Sequence, residues 1–253
     1  QAAPAKPQGL PVMASPVLVG VVVDDISAVG TVVANESVRI RTEISGRLTK
    51  LNFDEGQIVE LDQLLVSLDD REHRAQLAAV NAELRTEKQR FLRLKELYQQ
   101  KFISKEALDI QAGAVTRLAA MVQGADARLQ KTIITAPFSG VIGLRKVSPG
   151  AYLEAGADIA KLEDLSSVKV DFRVPEVYLA KVRSGQVVNI VVDAFPDSVF
   201  KGNVYAIETG IDRETRTALV RARVSNEAGK LHSGMFARVS LVMYKNQNAL
   251  SVP

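Results

Sequence analysis

"ISGRLTKLNFDEG", Ile44 to Gly56, returns as "FSGVIGLRKVSPG", Phe138 to Gly150. Gly46 aligns with Gly140 and Gly56 with Gly150, an offset of 94 residues that holds without a gap. Ser45 aligns with Ser139, Leu48 with Ile142 and Phe53 with Val147. Further along, Val59 aligns with Leu153, Leu65 with Ile159, Leu68 with Leu162 and Asp70 with Asp164. Ser-Gly and Asp/Pro-Gly turns recur by chance in unrelated hairpins. Chance does not also keep the apolar positions in step, so the pattern reads as a duplication. Two copies are too few for a solenoid and predict one small β-domain built from two halves related by a pseudo-twofold axis.

Between the copies the chain changes character. Arg71 to Lys131 is free of proline and dominated by Ala, Leu, Glu, Gln, Lys and Arg, all good helix formers. Leu77, Leu84, Phe91 and Tyr98 recur every seven residues, with Val80 and Leu94 interleaved. Leu108, Val115, Val122 and Leu129 do the same, with Leu118 and Ala125 interleaved. Two heptad-patterned helices in succession predict an antiparallel coiled-coil hairpin about 40–45 Å long. Its turn falls near "QKFISKE", with Ser104 as N-cap and Glu106 in the first turn of the second helix.

The flanks read as β. "ESVRIRTEI" alternates Val38, Ile40, Thr42 and Ile44 with Arg39, Arg41 and Glu43. "VKVDFRV", "VVNIVVDAF", "GNVYAIE", "RTALVRARV" and "GMFARVSLVM" follow the second copy, spaced as in a small antiparallel barrel. Ala218, Val220, Ala222 and Val224 share one face, as do Ala237, Val239, Leu241 and Met243. "PEVYLAKVRSGQ" reads as a short helix with Pro175 at its first position and Gly185 as its stop.

Composition narrows the function. The chain has no cysteine, which removes disulfides, thiol catalysis and thiolate metal sites. A net charge of +3 with interspersed signs, and 5% aromatic residues without Trp, argue against nucleic acid. The only histidines, His73 and His232, read as solvated, and no nucleophile-elbow or phosphate-cradling motif is present. The four methionines, Met13, Met121, Met235 and Met243, do not cluster as soft-metal ligation requires. The expectation is a non-enzymatic protein with no catalytic residues, cofactor or metal.

"SGRLTKLNFDEGQIVELDQLLVSLDD" and "APFSGVIGLRKVSPGAYLEAGADIAKLEDL" resemble the two halves of a biotinyl/lipoyl-type domain. "VDFRVPE" and "HSGMFARVSLV" resemble barrel segments of periplasmic adaptor proteins, also called membrane fusion proteins, of Gram-negative resistance-nodulation-division (RND) efflux pumps. A true lipoyl or biotin carrier needs a lysine at the turn between its halves. Here that place is taken by the hairpin, and the first half ends "LDDRE".

The resemblance covers residues 17–253 and implies a mixed α and β, elongated, multidomain fold. A coiled-coil hairpin (71–131) is inserted into a split lipoyl-like β-domain (42–70 and 132–166). A β-barrel (31–41 and 167–243) follows, with a disordered leader and part of a membrane-proximal domain in 1–30 and 244–253. The implied role is an adaptor between an inner-membrane RND transporter and a TolC-like outer-membrane channel. Alternatives are an ATP-driven (ABC-type) exporter or a metal-efflux system as its machine. It would work in the periplasm at the inner membrane, its anchor outside this chain, six copies to a pump but weakly self-associating alone. The tip "RLKELYQQKFIS" resembles the family's channel-docking motif, which Arg93, Leu97 and Ser104 match in spacing.

Overall fold

The structure, a computed structural model, describes residues 18–251 and the side chains of 25–242. The leader expected before residue 18, Met13, the Met243 side chain and the last two residues lie outside the described residues. The chain divides into two units, Ala34–Ser166 and the combination of the segments up to Val33 and from Ser167.

The first unit is the duplicated domain with its inserted hairpin. Strands β2 (Gly46–Leu51), β3 (Ile58–Val59) and β4 (Leu64–Leu68) make the first copy. Strands β6 (Gly140–Ile142), β7 (Tyr152–Leu153) and the start of β8 (Asp158–Pro175) make the second, and β5 (Ile133–Thr135) precedes it. The copies exchange strands reciprocally. Gly46 in β2 pairs with Leu153 in β7, and Gly140 in β6 pairs with Val59 in β3. Within the copies Leu48 pairs with Leu68, and Ile142 with Leu162.

The loops repeat the exchange atom for atom. The Gly56 amide donates to the Ile142 carbonyl at 2.9 Å, and the Gly150 amide to that of Leu48 at 2.8 Å. The Leu61 amide donates to the Ser139 hydroxyl at 2.9 Å, and the Ala155 amide to that of Ser45 at 3.1 Å. Gly56 and Gly150 both adopt a positive φ, +79° and +91°, which glycine accepts without strain. Asp62, at φ 62°, fills the position that Gly156 holds at 86°. Between the halves lies one apolar core of Ile40, Leu48, Phe53, Val59, Leu65, Val66, Leu68, Ala136, Ile142, Leu153, Ile159, Ala160 and Leu162.

The hairpin leaves at Leu68 and returns at Thr132, whose carbonyl accepts from the Leu68 amide at 2.8 Å. Its helices are α1 (Arg71–Gln99) and α2 (Lys105–Gln130). Arg71 bonds the Asp69 carboxylate at 2.5 Å and holds its pKa at about 2, below the usual 3.8. The stabilisation from this pair is complete above the ordinary carboxylate range and fades as pH falls toward 2. Val80, Leu84, Leu118 and Ala125 are buried in the seam, with Leu77, Phe91, Leu94, Leu108, Val115, Val122 and Leu129 half-buried. Tyr98 departs from the heptad expectation at 37% exposure, because the turn rather than α2 lies opposite it.

The second unit is an antiparallel barrel. The strands are β1 (Leu18–Arg41), whose start belongs here, β9 (Val187–Val192), β10 (Phe195–Asp212), β11 (Thr217–Ser225) and β12 (Phe236–Ser251), with the end of β8. The order is β1-β12-β9-β10-β11-β8, and β8 pairs back to β1. β1 pairs with β12 from Leu18 to Thr31, so the pairing begins before residue 31. β1 runs unbroken through Asp24-Asp25, with a register shift between those residues. Inward residues Val168, Val170, Phe172, Val174, Val188, Ile190 and Val192 are at most 1% exposed, as are Ala218, Val220 and Ala222. On the outside Arg221 grips Asp171, its cross-strand neighbour, through two bonds of 2.5 and 2.7 Å. A short helix α3 (Glu176–Leu179) follows β8, with Pro175 at its N-cap rather than its first helical position.

The duplicated glycines differ in what they tolerate. A Cβ on Gly140 would overlap the Glu163 carbonyl oxygen, with its carbon 2.8 Å away, whereas on Gly46 the nearest atoms are Leu68 side-chain carbons at 3.6 Å. Gly140→Ala is expected to destabilise the domain by about 1–3 kcal/mol through overpacking, while Gly46→Ala stays near neutral. Urea denaturation of both variants checks this; equal effects would contradict it.

Candidate functional site

The tip of the hairpin is built by a helix stop, a turn and a helix start. The Gln100 amide bonds the Glu96 carbonyl, the Lys101 amide that of Tyr98 at 2.9 Å, and the Phe102 amide that of Leu97 at 2.9 Å. This is a Schellman stop, and it requires a left-handed residue after the cap. Lys101 supplies it at φ 64° where glycine is usual. The next helix starts from Ser104, whose hydroxyl accepts from the Ala107 amide at 3.2 Å. Glu106 lies in its first turn, beside the positive end of the helix dipole.

Arg93 and Leu97 stand one turn apart on the final part of α1, so they share a face. Both are exposed, Leu97 by 39%, and Arg93 makes no ion pair among the described residues. Ser104 lies across the turn from them. Sequence reading passed over Phe102, which is 74% exposed at the tip, and Leu92, 58% exposed on α1. The signal for Phe102 was its place two residues beyond the helix cap, where the Schellman stop commonly seats an apolar side chain. Large apolar groups in water at both ends of a turn give little to the monomer and fit a surface that becomes covered.

The remaining candidates stand apart from this tip. His73 lies in a groove of about 600 Å³ at the hairpin base with Arg47, Asp69, Arg71 and Tyr152. Asp69 there is engaged by Arg71, and the Ser45 hydroxyl accepts from Ala155. His232 is exposed in the turn before β12, its amide 3.4 Å from the Met235 sulfur. Met121 sits on α2 with Arg117 3.5 Å from its sulfur. Among the described residues no group of three or more His, Asp or Glu could hold a metal ion. No helix among them is long and apolar enough to cross a membrane.

A duplicated barrel-sandwich domain carrying a helical hairpin, in a chain that also forms a closed antiparallel barrel, defines the class of membrane fusion proteins. Residues 36–162 match the family described as "RND MFP, barrel-sandwich hybrid domain", and 167–245 match "CusB-like, beta-barrel domain". The chain belongs to the RND membrane fusion protein family. It is similar to Multidrug resistance protein MdtA of Xenorhabdus bovienii, 32% identical over 250 residues that cover 90% of this chain and 60% of the relative. The protein of that name from Pectobacterium atrosepticum is 30% identical, with 90% and 61% covered. The chain thus spans about 60% of the length of these curated relatives. In fold it resembles a MacA–MexA chimeric protein containing the Pseudomonas aeruginosa MexA α-hairpin domain, with a TM-score of 0.82, 24% identity, and 94% and 87% of the two chains covered. MacA from Actinobacillus actinomycetemcomitans gives a TM-score of 0.71 at 23% identity, with 94% and 84% covered.

The turn chemistry is open to test. Lys101→Gly should stabilise the hairpin by up to about 1 kcal/mol by relieving the left-handed strain. Ser104→Ala should cost about 0.5–2 kcal/mol through the lost cap. Thermal denaturation followed at 222 nm reads both; a destabilising Lys101→Gly would contradict the role given to the turn.

Proposed function

We propose that this chain is a periplasmic adaptor subunit. It links an inner-membrane RND transporter to a TolC-like outer-membrane exit channel in a tripartite efflux pump, and helps to assemble and seal the export duct. The observation that carries the reading is the hairpin held between the halves of a barrel-sandwich domain, in a chain of the RND membrane fusion protein family. The names of the multidrug resistance relatives support it. In this reading the chain does no chemistry; it works in the periplasm at the inner membrane, in six copies that associate weakly when free. Residues 42–70 with 132–166 act as the lipoyl-like platform, and 31–33 with 167–243 as the barrel, while 34–41, expected in the barrel, lie in the platform's unit, whose core Ile40 joins.

Arg93, Leu97 and Ser104 are proposed as the surface that docks on the channel. Arg93 would give charge-assisted hydrogen bonds to the ends of the channel's helices, and Leu97 would bury apolar area there. Ser104 serves chiefly through its cap, which holds the turn. Arg93→Asp and Leu97→Asp should raise drug susceptibility to that of a strain lacking the adaptor, with the helical circular dichroism unchanged. Full resistance of both variants at normal expression would overturn the docking assignment.

A further inference from the structure

The middle of the hairpin seam is apolar except at one layer. One row of α1 runs Val80, Glu87, Leu94, and the matching row of α2 runs Gln111, Leu118, Ala125. The two polar members meet. Gln111 is 6% exposed, its Nε2 donates to the Glu87 carboxylate, and it stands 3.4 Å from the Glu87 backbone oxygen. Glu87 keeps 24% of its side chain in water, with Arg90 4.0 Å away. Both residues occupy positions that the heptad reserves for carbon.

A carboxylate and a carboxamide in a seam are not there for stability, since a packed apolar layer does as well or better. They discriminate between staggers. Sliding α2 along α1 by one heptad keeps most apolar residues on apolar residues, so carbon alone separates the two arrangements poorly. The slip would set Gln111 against Val80 or Leu94 and leave Glu87 without its amide. Gln111 would then be a buried polar group with no partner, the expensive outcome in a low-dielectric seam, and Glu87 would keep only water and Arg90. A slip would also dissolve the Gln100–Ser104 turn.

We infer that the Glu87–Gln111 pair is a register lock that positions the hairpin tip. Arg93 and Leu97 ride on α1 and Ser104 on α2, so their relative height is the stagger of the two helices. The lock itself stands on the seam geometry; its consequence for export rests on the docking reading above.

The chain has no cysteine, so introduced thiols are unique. Spin labels at Lys95→Cys on α1 and Thr116→Cys on α2, both exposed, report the stagger, because a one-heptad slip moves one label about 10 Å along the axis. The full chain should give one narrow distance by pulsed electron resonance, as should Glu87→Gln, which can still pair with Gln111. The double variant Glu87→Leu/Gln111→Leu should melt higher yet show a second distance, and efflux should fall as that population grows. Gln111→Ala should melt lower but show the same second distance, and serves if the double variant does not fold. A single distance, unchanged from the parent in both variants, overturns the lock. A second distance with undiminished efflux upholds the lock and counts against the docking reading instead.

Discussion

Neither half of the duplicated domain completes its own sheet. β2 borrows Tyr152–Leu153 from the second half, and β6 borrows Ile58–Val59 from the first. The Gly56 and Gly150 amides cross in opposite directions to carbonyls of the facing copy, and the Leu61 and Ala155 amides cross to the hydroxyls of Ser139 and Ser45. Buried main-chain groups must find partners, and here the partners lie across the pseudo-twofold axis. The domain is therefore held by long-range pairing and tolerates a long insertion between its halves. The insertion enters at Leu68 and leaves at Thr132, where one hydrogen bond already joins the strands on either side. Closure of a long loop adds little further entropy once its ends are fixed.

The hairpin solves a different problem with different means. Its seam buries Val80, Leu84, Leu118 and Ala125, while most of its surface is polar. Such a rod carries its own hydrogen bonds and needs no support along its length. What it presents is its end, where a strained lysine and a serine cap fold a five-residue turn and leave Leu97 and Phe102 in water. In the proposed role, rigidity along the seam and definition at the turn are one requirement, since a docking surface made from two helices is only as fixed as their stagger.

The duplication was legible because glycine, serine and apolar positions kept a constant offset, and each of those positions has a shared physical cause in both copies. Ser45 and Ser139 receive equivalent loop amides, and Leu48 and Ile142 meet equivalent strand partners. The heptads were legible for the same kind of reason. Glu87 and Gln111 escaped because each, taken alone, reads as a gap in an apolar row; only the pairing across the seam gives the gaps meaning. Phe102 escaped because a lone aromatic in a polar turn carries no period. Asp24-Asp25 has the look of a break in an apolar stretch, yet β1 passes through it because a register shift absorbs it. Arg93 and Leu97 were legible as a spacing, and their exposure is what the structure adds.

The claim at the centre of this account is that the hairpin tip meets an outer-membrane channel. A photo-crosslinking amino acid placed at Leu97, and at Gln123 on the exposed flank of α2 as a control, tests it in whole cells that carry the native pump. The account predicts a light-dependent adduct from position 97 that fractionates with the outer membrane and contains the channel protein, and none of that adduct from position 123. An adduct from position 97 found only with inner-membrane proteins, or the same channel adduct from both positions, would contradict it.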